Sequence, residues 1–317
     1  MILAGDIGGT KTRLAVFDKN MRCVRQEKYL SRQYPDLESI LRHFSAQNIK
    51  KACFGIAGPV RDGIVHATNL PWIIDLNTIK KELNIDRAWL INDLEANAHG
   101  LKGLSENQIF SLQEGDPQSV GNRALISAGT GLGEAGLYWD GDKHHPFATE
   151  GGHVDFAPRD EKELELWIYF YKQFRHISYE RLLSGSGLYH IYRFLAERSG
   201  KTNLDLCEGI EECDPAQVVA QRGLKKEDKL CVEALDIFVS IYGAEAGNLA
   251  LKYLSYGGLY VGGGIAPKIL EVLKGGKFIE SFLSKGRFSS LLKTIPVRIV
   301  LEENTALMGA AIYADEK

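Results

Sequence analysis

Several features are missing or scarce in this chain of 317 residues. No apolar run approaches the roughly 20 residues that a membrane-spanning helix requires, so no membrane partner is predicted. No signal peptide is visible, because the first strand-like run begins at residue 2. Charge of one sign is not in excess. The net charge of −3 removes any global electrostatic reason to expect nucleic acid or an acidic membrane as partner. Cysteine is sparse: Cys23, Cys53, Cys207, Cys213 and Cys231 are odd in number and scattered. That fits a reduced, cytoplasmic protein better than a disulfide scaffold. Cys207 and Cys213 flank an acidic stretch at the wrong spacing for a zinc knuckle. There is no low-complexity segment and no obvious linker. The remainder, 44% apolar and 25% charged, is ordinary globular composition with length for about two domains.

What is present begins at once. Gly5-Asp6-Ile7-Gly8-Gly9-Thr10-Lys11 lies between the apolar runs Ile2-Leu3-Ala4 and Leu14-Ala15-Val16-Phe17. Two short apolar runs around a Gly-rich turn predict a β-hairpin. Its glycines free backbone N–H groups for close approach, and phosphate is the usual occupant of such a nest. Asp6 is placed to hold a divalent cation beside that phosphate. The segment is not a Walker A loop. Lys11-Thr12 fits that motif, but Thr10 stands where glycine is required, and a strand rather than a helix follows.

Further strand-like runs occur at 51–56, 88–91, 124–127, 136–139, 259–261 and 297–301. Helical patterns alternate with them at 37–45, 93–102, 225–254 and 304–314, the third with a candidate break near Gly243 or Gly247. Asp214-Pro215 reads as an N-cap with proline at the first helical position. The chain is therefore α/β. The polar stretch Gln113–Asn122, with Gly115, Pro117 and Gly121, is the best candidate boundary.

The opening pattern has an echo. Ala124–Ser127 runs into Gly129-Thr130-Gly131, and a second strand runs out to Trp139. Gly131–Gly136 matches G-x-G-x-x-G, but the dinucleotide fingerprint needs a helix after the glycines. Leu137-Tyr138-Trp139-Asp140-Gly141 is instead a strand entering a turn. Two Gly/Thr hairpins suit a polyphosphate gripped from both sides. Gly262-Gly263-Gly264 ends a strand ahead of a helix, where a bare backbone admits a flat nucleoside.

Polar residues cluster in four other places. Asn92-Asp93 ends a strand and opens a helix, a junction that faces the ligand crevice in α/β proteins; Asp93 also suits a helix N-cap. Glu150-Gly151-Gly152-His153 sets an acid and an imidazole around two glycines. Tyr179-Glu180-Arg181-Leu182-Leu183 is helix-like, and Glu180 alone reads as a solvated charge. Ala57-Gly58-Pro59 and Asn69-Leu70-Pro71-Trp72 close turns after a strand, with Trp72 reading equally as core.

Taken in order, these segments span almost the whole chain. The chain resembles the bacterial glucokinases of the non-ROK type, within the superfamily that joins sugar kinases, heat-shock chaperones and actin. The resemblance implies a two-domain actin-like ATPase (ribonuclease H-like) fold with an interdomain active-site cleft. It implies a small N-terminal α/β domain over 1–110, a large α/β domain over 111–302, and a C-terminal helix, 303–317, packed back on the small domain.

The implied activity is ATP-dependent phosphorylation of D-glucose at the 6-hydroxyl, the first step of glycolysis. Asp93 would be the general base, and Asn69, Asn92, Glu150, His153 and Glu180 would bind the sugar. Gly5, Asp6, Ile7, Gly8, Gly9, Thr10, Lys11, Gly129, Thr130, Gly131, Gly262, Gly263 and Gly264 would hold ATP. Asp6 would position Mg²⁺ through water. A homodimer is expected. Unlike ROK-type kinases, the chain has no cysteine in Val154–Asp160, so no zinc is assigned. A kinase for another hexose or an N-acetylhexosamine, and a non-enzymatic sugar-responsive regulator on the same fold, are the alternative readings.

Overall fold

The computed structural model describes residues 1–201, 206–207 and 213–317. It divides into two compact units. The first comprises Met1–Gln108, Pro146–Ala148 and Glu302–Lys317; the second comprises Ile109–His145 and Thr149–Leu301.

The first unit is built on a five-stranded sheet. Its strands are β1 (Ile2–Ile7), β2 (Lys11–Phe17), β3 (Cys23–Leu30), β4 (Lys51–Ile56) and, after the small ribbon β5 (Ile64–His66) and β6 (Ile73–Asp75), β7 (Ala88–Asn92). The order is β3-β2-β1-β4-β7. β1 and β2 form the predicted antiparallel hairpin, in register from Ile2↔Phe17 to Ile7↔Thr12. β4 and β7 then add in parallel. Side chains alternate across the sheet. Leu3, Ile7, Leu14 and Phe54 bury under helices Leu37–Phe44 and Leu76–Leu83. Ile2, Ala4, Ala15 and Cys53 face helices Asp93–Gly100 and Thr305–Glu316. The second face is rich in alanine and glycine, which lets its helices come close. A Cβ built on Gly309 would stand 1.8 Å from Ala96 O.

The second unit carries a six-stranded sheet of β8 (Ile109–Gln113), β9 (Arg123–Ala128), β10 (Leu132–Trp139), β11 (His144–Thr149), β12 (Leu259–Gly262) and β13 (Val297–Val300). The order is β11-β10-β9-β12-β13-β8. β9 and β10 are the second predicted hairpin, antiparallel from Leu132↔Ala128 to Leu137↔Arg123. A strand follows the glycines, so the dinucleotide fingerprint is excluded as expected. β8 pairs with β13. The chain therefore changes unit before the Gln113–Asn122 stretch and not within it.

Helix Lys229–Tyr253 runs through the core without a break. Its glycines serve packing instead: Cβ atoms on Gly243 and Gly247 would lie 2.1 Å from Phe278 O and 2.6 Å from Phe282 O. Asp228 caps it, accepting from Leu230 N at 2.7 Å, so the helix starts later than the apolar pattern suggested. Asp214 caps helix Pro215–Leu224 as expected, accepting from Ala216 N at 3.0 Å. Among the described residues no helix is long and apolar enough to cross a membrane. Cys207 and Cys213, expected as thiols, are joined as a disulfide with Cα atoms 5.6 Å apart, within bridging range.

Candidate active site

In the first unit the hairpin turn is held from below. Gly8 N donates to Lys11 O at 3.0 Å, Ser31 Oγ donates to Gly8 O at 2.7 Å, and Ser31 N donates to Thr10 O at 3.1 Å. Thr12 and Ser31, both buried, share a hydroxyl contact of 3.0 Å beneath it. Thr10 and Lys11 are exposed. Lys11 lies close enough to Lys28 for its charge to push that ammonium below its usual range, so two cations flank the turn. That arrangement favours a polyphosphate. Asn69 sits on the turn: a Cβ on Gly9 would stand 2.5 Å from Asn69 Cβ.

Asp6 is the last residue but one of β1, the strand that leads into this turn. Burial raises its carboxyl above the usual range, while Arg13 Nη1, 3.9 Å from Oδ2, pulls it back down. Arg13 is anchored by Glu303 O at 2.7 Å. Among the described residues no cluster of three or more His, Cys, Asp or Glu forms a metal cage. A single carboxylate beside a phosphate nest still fits Mg²⁺, which keeps most of its waters and binds through phosphates and one or two carboxylates.

Asn92 ends β7 and is the N-cap of helix Asp93–Gly100. Its Oδ1 accepts from Leu94 N at 2.8 Å and Glu95 N at 3.3 Å, and its Nδ2 donates to Gly58 O at 3.3 Å. The capping role open to Asp93 thus falls to Asn92. Asp93 is the first helical residue, and its Oδ1 accepts from Leu94 N at 3.0 Å. A helix N-terminus favours an anionic side chain there. Gly55 on β4 gives this helix room: its Cβ would meet Ala96 Cβ at 2.8 Å. Thr68 Oγ1 donates to Ala57 O at 3.2 Å, so the two turns expected to border a sugar are tied together. Trp72 belongs to the core, at 3% exposure.

The second unit gathers the other residues. Gly129 N donates to Gly131 O at 2.8 Å and closes the second hairpin. Gly263, at φ +83°, lies against it: a Cβ there would be 2.3 Å from Ala128 O. Packing therefore explains Gly263. At Gly129 and Gly264, by contrast, a Cβ would meet nothing within 4 Å, leaving backbone open to a ligand. Tyr242, buried on helix Lys229–Tyr253, accepts from Ala128 N at 3.2 Å and lies 3.4 Å from Gly262 O. It ties the ends of β9 and β12 together. No pattern in the sequence marked it.

Glu180 lies on a 3₁₀ turn, Tyr179–Arg181, rather than a helix. Its Oε2 accepts from Leu132 N at 3.0 Å and presses on Gly131, where a Cβ would come within 2.4 Å. Its Oε1 is 3.9 Å from His153 Nδ1. His153 and Glu150 are exposed at the ends of the 3₁₀ turn Gly151–His153, with His153 N donating to Glu150 O at 3.0 Å. Gly152 packs on Leu132 O, which a Cβ would approach to 2.1 Å. So Glu150, His153 and Glu180 stand around one hairpin, and Gly262–Gly264 flank its other side. Beneath them lie Glu134 and Glu245, 1% and 0% exposed, which the sequence reading did not single out.

A model of the glucokinase family matches residues 3–317. The chain is 41% identical to a glucokinase of Nostoc punctiforme over 99% of its own length and 98% of that protein's. Among solved structures it is similar to a glucokinase from an Antarctic psychrotroph, with 32% identity, a TM-score of 0.83 and coverage of 100% and 99% of the two chains. At 20% identity, a ROK family glucokinase from Streptomyces griseus, solved with glucose and AMPPNP, shares the fold alone, with a TM-score of 0.70 and coverage of 100% and 99%. The family match spans both hairpins, Asn92-Asp93, the Glu150–His153 turn and Glu180, and by it this chain belongs to the glucokinase family.

Proposed function

We propose that the protein transfers the γ-phosphoryl group of ATP to the 6-hydroxyl of D-glucose, giving glucose 6-phosphate and ADP. The observation that carries the reading is Glu180. Its carboxylate presses on the Gly129–Gly131 hairpin and faces His153, so a phosphate nest and a set of polyol ligands form one constellation. A site that meets each hydroxyl with its own partner rejects sugars lacking one.

Asp93 accepts the 6-hydroxyl proton as O6 forms its bond to the γ-phosphorus. The bond from that phosphorus to the bridging oxygen breaks, and ADP leaves with the electron pair. Asn69, Asn92, Glu150, His153 and Glu180 hold the sugar; Asn92 has a second amide hydrogen to offer beyond its bond to Gly58 O. Residues 5–11, with Lys11 at their end, and residues 129–131 hold the phosphates, and 262–264 lie against the nucleoside. Asp6 would hold Mg²⁺, which would supply positive charge to offset that of the phosphates. Because the transition state is loose, alignment and charge neutralisation supply most of the catalysis.

The reading extends to the first step of glycolysis in the cytoplasm, where ATP is available, and to a homodimer. The exposed apolar stripe Leu164, Ile168 and Tyr171 on helix Glu161–Phe174 supports self-association; light scattering checks it.

A coupled assay with ATP, Mg²⁺ and a panel of hexoses tests the activity. Glucose is expected as the preferred acceptor. Turnover of another hexose with none of glucose would overturn the assignment. Asp93→Asn should lower kcat by roughly 10²–10⁴-fold, while glucose KM changes little. The amide still accepts from Leu94 N, so the fold is retained.

A further inference from the structure

Glu134 lies on β10 directly beneath the turn that carries Glu150 and His153. A Cβ on Gly151 would stand 2.0 Å from Glu134 Oε2, so the turn's backbone rests on the carboxyl group itself. The backbone of Glu134 grips the same turn. Its O accepts from Thr149 Oγ1 at 2.9 Å, and that hydroxyl accepts from Gly151 N at 3.2 Å. On the other side is Glu245, on helix Lys229–Tyr253, within hydrogen-bond reach of the Glu134 carboxyl. Glu245 leads in turn to the Glu180 turn. Its Oε2 accepts from Asn248 Nδ2 at 2.8 Å, and that nitrogen also donates to Tyr179 OH at 3.1 Å. One buried pair of carboxyls thus joins the two turns.

At neutral pH both members of so buried a pair do not ionise together. Donors decide where the proton stays. Glu245 receives Asn248 and, at 3.4 Å, Lys252 Nζ. Glu134 Oε1 is buried and receives no donor. The carboxyl with fewer donors keeps its proton and donates it as a hydrogen bond to its neighbour.

We propose that Glu134 is a positioning residue for the sugar site: the proton it holds toward Glu245 locks the Gly151–His153 and Tyr179–Arg181 turns in place. This rests on those turns being the sugar ligands. Burial, with Glu245 beside it and Lys252 opposing, pushes Glu134 up to about 8. Among the described residues, the other titratable and charged groups around the pair include Tyr242 and Tyr253 on the long helix, Tyr179 on the 3₁₀ turn, Lys285 and, beyond Tyr179, Arg159. Burial raises all three phenols, so none ionises near pH 8. Loss of the proton sets two negative charges under the Gly151 turn and releases it.

One pH unit above the transition only about a tenth of the molecules keep the proton, so apparent glucose KM rises about tenfold. The test is glucose KM and kcat at pH 7 and pH 9, under saturating ATP, for the wild type, Glu134→Gln, Glu134→Ala and His153→Ala. The wild type should show the rise in KM with little change in kcat. Glu134→Gln should abolish it, because the amide donates to Glu245 without titrating. Glu134→Ala should raise KM at both pH values. A wild type with no rise, or a Glu134→Gln variant that keeps it, overturns the proposal. His153→Ala separates the two claims: an unchanged glucose KM there means that the sugar-site reading has failed. Should the Glu134 variants not fold, ¹³C carboxyl titration of the wild type decides. One glutamate must titrate near pH 8, and none above pH 6 refutes the idea.

Discussion

Gly309→Ala is a remote change with a calculable consequence. Gly309 lies on helix Thr305–Glu316 where it crosses helix Asp93–Gly100. An added methyl would stand 1.8 Å from Ala96 O and 2.5 Å from Gly100 N. Both are backbone atoms and cannot swing away. Restoring even a 3.0 Å approach needs a separation of about 1.2 Å between the helices. Overpacking of this kind costs about 1–3 kcal/mol, which lowers the unfolding midpoint by about 2–4 °C per kcal/mol. The displaced helix carries Asp93 at its start, and a misplacement of about 1 Å far from the chemistry can cost 10²-fold. The expected result is therefore a lower midpoint together with a kcat for glucose reduced by about that factor. Gly103→Ala is the control. Its methyl meets Met308 Sδ at 2.8 Å and Ile312 Cδ1 at 3.2 Å, which are flexible side-chain ends, so midpoint and kcat should stay near wild type. If Gly309→Ala kept wild-type kcat and midpoint, the claim that glycine-mediated helix contact positions Asp93 would be wrong.

Gly131→Ala should displace Glu180, whose Oε2 would lie 2.4 Å from the new Cβ. Losing its charged hydrogen bond to Leu132 N, worth about 1.5–3 kcal/mol, should raise glucose KM about tenfold or more and lower the unfolding midpoint as well. Glu134 also shapes stability against pH. Its folded pKa, raised to about 8, means that the folded state holds a proton which the unfolded chain releases near pH 4.5. Stability is fully present below pH 4.5 and falls as pH rises through about 8. Denaturant titrations at pH 5, 7 and 9 should show that decline, and Glu134→Gln should flatten it. His99 works in the opposite sense. Burial pushes it down to about 4, with Glu316 opposing, so between pH 6.5 and 4 the unfolded state binds more protons and stability drops on acidification. His99→Asn should reduce that acid sensitivity in the same titration. Removing the Cys207–Cys213 bridge with a reductant should leave kcat unchanged, because no assigned ligand lies near it in sequence.

Legibility in the sequence followed the range of the interactions involved. The two hairpins, the central strands and the Asn92-Asp93 junction were readable because apolar runs, glycines and caps act over a few residues. β3 was not readable: an edge strand exposed over most of its length carries no apolar run, and only pairing with β2 defines it. Gly243 and Gly247 misled for the same reason. Glycine weakens a helix locally, yet the backbone of Phe278 and Phe282 fills the space a side chain would need. The polar residues of the site were recognisable by type and order, but not by contact.

The sequence by itself determined the α/β class, the two Gly/Thr hairpins and the family, since each rests on local pattern or on ordered motifs along the whole chain. Only the tertiary structure decided that Glu180 bears on Gly131 and faces His153, that Tyr242 ties the ends of β9 and β12, and that Glu134 and Glu245 lie buried together under the Gly151–His153 turn. Those contacts join residues far apart in the chain. Burial and proximity across such distances leave no periodicity behind.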